Sequence, residues 1–288
     1  MDYLIHLVIL ISIFSILAIS LDLVVGYTGL LSVTHAAFFG IGSYATAILL
    51  TRYGVHFFVS IVAGIIVAAV VSYLIGLVLS KFNDDYYALA SLGFGVIVYT
   101  IFLNWQQLTR GPLGIPGISR PELFGIPFKD NVAFMALALL MAALVYAVAR
   151  YLVRSPFGRV LKAIRDDEQA IAVFGYHTSR FKLVIFVISA AMAAIAGSLF
   201  ASYITFISPS SFLLMESIFM LAMIILGGLS NIRGALLGAA LLILLPEALR
   251  FAGFPSIVAG QMRQFVYGVL LVVLMLYRPQ GIVGEYKL

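Results

Sequence analysis

Cysteine is absent from the chain, and tryptophan occurs once. The first absence excludes disulfides, thiolate metal sites and cysteine nucleophiles. Charge is also scarce. Asp, Glu, Lys and Arg make up 10% of the 288 residues, against about 25% in soluble chains. The sequence holds no G-x-x-x-x-G-K-[ST] loop to cradle a nucleotide phosphate, no H-E-x-x-H pair and no G-x-S-x-G elbow. No set of nucleophile, base and metal ligands emerges, so the chain reads as non-catalytic, with no cofactor of its own.

What fills the sequence is apolar: 63% hydrophobic residues and a mean hydropathy of +1.14. A soluble domain of this length must present more polar surface to water. Most of this surface therefore faces lipid. The formal charge of +5 does not point to nucleic acid. Seven of the 17 Lys and Arg lie between Arg150 and Lys182, and most others flank apolar runs. That is how membrane proteins place basic residues for topology.

A spanning helix needs about 20 mostly apolar residues. Runs at 4–25, 57–79, 87–103, 132–153, 183–207, 213–229 and 265–277 qualify. Two more are unusual: 30–50 is rich in Gly, Ala, Ser and Thr, and 232–249 carries Pro246 and Glu247. The first run lacks a basic leader and a clear small-residue cleavage site, so it reads as a span rather than a removed signal. The expectation is an all-α, polytopic membrane bundle of about eight or nine transmembrane helices, one domain over 1–288. Whether 30–50 and 232–249 cross fully is left open.

The basic segment 154–182 is expected in the cytoplasm. Counting outward through nine spans also puts Lys81, Arg233, Arg278 and Lys287 inside. Arg52, Arg110, Arg120, Lys129, Arg250 and Arg263 fall outside. The loop 105–131, broken by Pro112, Pro116, Pro121 and Pro127, is external and structured. Trp105 and Tyr99 fall at an expected interfacial belt.

Between two spans, residues 155–175 read as a short capped helix. Ser155 is a natural N-cap, Pro156 suits the first helical position, and Gly175 suits the left-handed residue past the end. Leu161, Ile164 and Ile171 fall on one face, with Val160 and Phe174 beside it. Arg159, Lys162, Arg165, Asp166, Asp167 and Glu168 make the rest polar. Such a helix lies along the membrane surface, either as a lipid anchor or as a docking element. Three consecutive acids favour a protein partner.

The run 30–50 offers a second site. Ala36, Ala37, Gly40, Gly42, Ser43 and Ala45 permit close helix approach. Gly26 and Gly29 permit a break that would expose backbone dipoles to a substrate. His35 is an intramembrane ionisable residue, a functional hypothesis by default, though a neutral histidine can simply bond a neighbouring helix. Glu216, and Glu247 with Arg250 at i, i+3, read as structural groups near span ends.

Several blocks together resemble the branched-chain amino-acid permease family of ABC importers, closer to its LivM type than its LivH type. They are the Gly-rich stretch 26–44, Thr109-Arg-Gly-Pro-Leu-Gly-Ile-Pro-Gly117, the 155–175 segment, Ile207-Ser-Pro-Ser-Ser-Phe212, Leu226-Gly-Gly-Leu229 with Arg233-Gly-Ala-Leu-Leu-Gly238, and Arg278-Pro-Gln-Gly-Ile-Val-Gly284. The likeness runs in order over nearly the whole chain. Many relatives carry a more polar residue near 112–113, a departure that bears on recognition outside the membrane.

The resemblance implies a coupling loop at 154–180. Gly158, Arg159, Ala163, Arg165, Asp166, Glu168 and Gly175 would dock into an ATPase groove. It implies a translocation pathway near Thr28, Ser32, His35, Gly40 and Gly42. It implies as partners a second homologous permease, two ATPase subunits holding ATP and Mg, and a periplasmic or external substrate-binding protein. The place is a bacterial or archaeal inner membrane, and the substrate a branched-chain or other hydrophobic amino acid. Relatives of this architecture serve urea, amides and small organic acids. The rival class, a self-sufficient secondary transporter, would need ion-coupling carboxylates at mid-membrane, and none stands out.

Overall fold

The computed structural model describes residues 2–82, 84–123, 126–127, 130–251, 268–269, 272, 276 and 280–283. In chain order these form α1 (Asp2–Thr28), α2 (His35–Tyr53), α3 (Phe57–Leu79), α4 (Asp84–Asn104) and the single turn α5 (Gln106–Thr109). The strands β1 (Ile115–Pro116), β2 (Glu122–Leu123) and β3 (Ile126–Pro127) follow. Then come α6 (Asn131–Arg154), α7 (Pro156–Asp166), α8 (Glu168–Val173) and α9 (Thr178–Ile204). After β4 (Phe206–Ile207) and a 3-10 turn (Pro209–Phe212), α10 (Leu214–Gly227) and α11 (Ile232–Phe251) complete the described helices.

Among the described residues, six stretches are long and apolar enough to cross a membrane: α1, α3, α4, α6, α9 and Pro209–Gly227. The chain is therefore an all-α, multi-pass membrane protein, with four two-residue strands among the described residues. The expected span at 265–277 lies mostly outside the described residues, as does the Arg250 side chain.

Position in the bundle follows from which faces are apolar. From Ser12 to Thr28 α1 is buried on every side, packed by α6, α9, α10 and α11. It is apolar nearly all round, as a central helix must be. The second central helix, α9, packs on α1, α2 and α3. By contrast α3, α4 and α6 carry exposed apolar rows, among them Val62, Ile66, Val70, Ile97, Leu140 and Leu144. These rows suit a hydrocarbon solvent.

The interface between α2 and α9 depends on missing side chains. A Cβ on Gly42 would sit 2.3 Å from the Ala194 carbonyl oxygen, and one on Gly197 2.1 Å from that of Phe39. The two backbones therefore touch. Ser43 Oγ donates to the Gly197 carbonyl at 2.9 Å, and Thr46 Oγ1 to Ser198 Oγ at 2.8 Å. Small residues bring these polar groups within reach, which association in lipid exploits.

Two expectations are corrected. Of the two glycines expected to permit a break, Gly26 is helical and Gly29 (φ 75°) opens it; the break occupies residues 29–34. Leu30, Ser32 and Thr34 are buried there, and irregular backbone inside a membrane protein is tolerated when protein surrounds it. The run 213–229 is helical from Leu214 to Gly227, as expected, and a 3-10 turn at Pro209–Phe212 precedes it. The helix expected to run unbroken to Phe174 breaks at Asp167, which is extended (φ −157°). Its carboxylate accepts from the Ala170 amide at 2.9 Å, starting α8 afresh. An Asp that can cap competes with helix continuation.

Candidate functional site

The α7–α8 segment hangs on an elbow after α6. Ser155 accepts from the Gly158 amide at 3.4 Å and donates to the Leu152 carbonyl at 2.6 Å. Gly158 is buried in the elbow, and a Cβ there would lie 2.3 Å from the Val153 carbonyl oxygen. Leu161 and Ile164 are buried as expected, and Phe157 stacks on Phe181 of α9 at 5.3 Å. Phe174, expected beside the buried face, is 78% exposed because it follows the short α8 away from the bundle.

The polar residues of the segment divide by direction. Arg159 and Asp166 are exposed, Ala163 is half-buried, and Gly175 forms an exposed turn at φ +87°. Glu168 is turned toward α9, where Lys182 Nζ donates to its Oε2 at 2.6 Å; the Lys182 side chain is 2% exposed. Arg165, expected on the docking surface, turns inward. Its Nη1 donates to the Gly26 carbonyl at the end of α1 and to Ser230 Oγ in the turn between α10 and α11.

Ser230 is the junction of this network. Its backbone is left-handed (φ 61°), which an L-residue adopts at a cost of about 1–2 kcal/mol. Three contacts hold it there. Its amide donates to Asp22 Oδ1 at 3.0 Å, its hydroxyl donates to the Gly26 carbonyl, and Arg165 reaches the same hydroxyl. Asp22 is fully buried on α1, within the field of Arg165 and Lys162. Lys162 Nζ also lies 5.5 Å from the centre of the Tyr27 ring. Helix α7 is thereby joined to α1 and to the α10–α11 turn through polar contacts.

Sequence reasoning missed Asp22, Ser230 and the burial of Lys182. Asp22 carried a usable signal, as a carboxylate inside an apolar run. Ser230 carried none, because its role depends on two helices far apart in the chain.

The expected pathway residues are closely packed. Thr28 Oγ1 donates to the Val24 carbonyl of its own helix at 2.6 Å. Ser32 and Thr34 hydroxyls meet at 2.9 Å. His35 Nε2 lies 2.7 Å from Ser189 Oγ, which donates in turn to the Ser20 carbonyl, whereas Nδ1 has no hydrogen-bonding partner among the described residues. A Cβ on Gly40 would lie 2.5 Å from the Phe102 ring. Gly40 and Gly42 thus lie at close packing contacts. Among the described residues no cluster of His, Asp or Glu could hold a metal ion.

Blocks distant in sequence meet at the two ends of the bundle. At one end β1 pairs with β4, so Ile115 faces Ile207. Arg52 of α2 donates to the Gln107 carbonyl nearby, and Arg110 lines a cavity of about 590 Å³ with Leu113 and Pro116. At the other end the Ile282 and Val283 amides donate to the Leu226 and Gly227 carbonyls, both at 3.0 Å. This is the end that carries α7.

The model of the family described as branched-chain amino acid transport system, permease component, matches residues 3–275. The chain belongs to that family. The permease is 36% identical to the high-affinity branched-chain amino acid transport system permease protein LivM of Salmonella typhimurium, and equally to that of Escherichia coli. Each alignment covers 94% of this chain and 67% of the relative. It is 28% identical to the LivH protein of Escherichia coli, over 95% of this chain and 92% of the relative. No solved structure matches it. As a member of this family the permease is a transport subunit, not an enzyme.

Proposed function

We propose that the permease forms the translocation pathway of an ABC importer for branched-chain or other hydrophobic amino acids, and that α7 is its coupling helix. The whole chain, 1–288, is one transmembrane domain of eight or nine crossings, with the coupling loop 154–180 in the cytoplasm and the loop 105–131 outside. Two ATPase subunits, binding ATP and Mg, dock on the coupling loop. A second permease of the LivH kind completes the pathway, and an external binding protein delivers the amino acid to the outer end. The membrane is the inner, cytoplasmic one.

The observation that carries this reading is the double direction of α7. It offers Arg159 and Asp166 outward while Arg165 ties it inward to Gly26 and Ser230. A surface helix that only anchored a loop to lipid would need no such tie. A displacement imposed on the outer face is passed, through Arg165, to the inner end of α1 and to the α10–α11 turn. Docking therefore falls to Arg159, Ala163 and Asp166, while Gly158, Arg165, Glu168 and Gly175 set the shape and rigidity of the element.

The test is reconstitution of the permease with its partner permease, ATPases and binding protein in vesicles. ATP-dependent leucine uptake should be lost in Arg159→Glu/Asp166→Lys, together with ATPase association. Unchanged association and uptake would remove α7 from the docking surface. Uptake by the permease alone, without ATPases, would overturn the importer reading. Competition by leucine but not by urea or short-chain acids would support the amino-acid assignment.

A further inference from the structure

We propose that the permease binds an anionic phospholipid headgroup in a basic cleft between α6, α7 and the α10–α11 turn. This rests on the reading above only in placing the α7 end of the bundle at the inner leaflet. A cavity of about 320 Å³ opens there, lined among others by Arg150, Arg154, Lys162, Arg233, Tyr146 and Asn231. No acidic side chain is among its described lining residues. Arg150, Arg154 and Arg233 make no ion pair among the described residues. The nearby carboxylate, Asp22, lies behind the cleft and accepts from the Ser230 amide.

Helical spacing brings the cations together. Tyr146, Arg150 and Arg154 repeat every four residues, so they share one face of α6. Lys162 faces them from α7, held over the Tyr27 ring. Arg233 enters from the first turn of α11, whose N-terminal dipole adds positive potential. Three guanidinium forks and an ammonium converging on one space match a phosphodiester, with its several acceptor oxygens.

The walls above the charges select lipid over a soluble anion. Along the Tyr146 face of α6, toward the middle of the span, Ala143 and Leu139 are exposed. On α11, one turn beyond Arg233, Leu237 is 48% exposed. A charged floor at the helix ends, continued by open apolar walls within the span, has the amphipathic profile of one phospholipid. An acidic protein segment would meet the same charges but leave the apolar walls unused. Basic pockets between helices at the cytoplasmic boundary recognise anionic headgroups in this way.

The full chain, in a neutral detergent, is titrated separately with short-chain phosphatidylglycerol, phosphatidylcholine of equal chain length, and inorganic phosphate. Retention is counted by native mass spectrometry. Phosphatidylglycerol should be retained at least tenfold more tightly than phosphatidylcholine, on the order expected when several basic residues act on one headgroup. Arg150→Gln/Arg233→Gln should weaken it about thirtyfold. Arg150→Lys/Arg233→Lys, which keeps the charge but not the forks, should bind between the Gln pair and wild type, which separates lost charge from lost folding. The proposal is overturned by equal retention of the two lipids, or by a Gln pair that binds as wild type. Inorganic phosphate binding as tightly as the lipid would overturn it too, since the apolar walls would then do nothing. So would a Gln pair that keeps its lipid but no longer captures the ATPase subunits, which would mark the cleft as a protein-docking surface. Retention is read on the isolated chain, so it can fail while the coupling assignment stands.

Discussion

Replacing Arg165 by Met should uncouple ATP hydrolysis from transport without preventing assembly. The guanidinium donates to the Gly26 carbonyl and to Ser230 Oγ, and so ties α7 to both. Hydrogen bonds from a charged donor contribute about 1.5–3 kcal/mol each when buried. Arg165 is only half-buried, so solvent competes for it and roughly 2 kcal/mol for the pair is the better figure. That corresponds to about a thirtyfold change in how firmly α7 is held against the bundle. Met keeps the aliphatic stem and removes the donors; Lys keeps a charge but cannot fork between two acceptors. The assay is the number of ATP molecules hydrolysed per leucine imported by the reconstituted complex, with ATPase association measured separately. The Met variant should raise that ratio several-fold with association intact, and the Lys variant should fall between Met and wild type. An unchanged ratio in a correctly inserted Met variant would refute the transmission argument. Loss of association alone would place Arg165 on the docking surface after all.

Glu168→Gln leaves the buried Lys182 ammonium without its carboxylate. Its partner is 30% exposed, so the cost should be about 2 kcal/mol, at or below the lower end of the range for broken buried pairs, read as a lower melting temperature in detergent. Ser155→Ala removes an N-cap and should cost about 1 kcal/mol; limited proteolysis near 154–160 should rise without loss of the transmembrane fold. Gly197→Leu drives side-chain atoms into the backbone of α2, where even a Cβ would lie 2.1 Å from the Phe39 carbonyl oxygen. It should destabilise the bundle by about 3 kcal/mol or more, while Gly175→Leu, with nothing within 4 Å, should cost only about 1–2 kcal/mol of backbone strain; equal effects would contradict the packing assigned to α2 and α9. Asp22→Asn keeps an acceptor for the Ser230 amide and should fold, whereas Asp22→Leu orphans that amide and should lower the melting temperature markedly, by the ~1–3 kcal/mol of an unmet buried donor.

The apolar runs, their lengths and the clustering of basic residues at Arg150–Lys182 determined by themselves that this is a multi-pass membrane protein with a polar surface element on one side. Those are properties of consecutive residues, and hydrocarbon selects for them directly. The ends of the α7–α8 segment were equally local: Ser155, Pro156 and Gly175 act on their own neighbours. Even there, Asp167 had two outlets for its side chain, and only the competition between capping and continuation settled the break. The direction in which Arg165 points was not local at all. It depends on a carbonyl left open at the end of α1 and a hydroxyl held in a left-handed turn more than sixty residues later, by a carboxylate more than two hundred residues before that turn. The same holds for Gly42, whose lack of a side chain reads equally well as a pathway or as a contact until Ala194 is brought against it. Burial in lipid is read residue by residue from a sequence; hydrogen bonds between helices join residues that only packing places side by side.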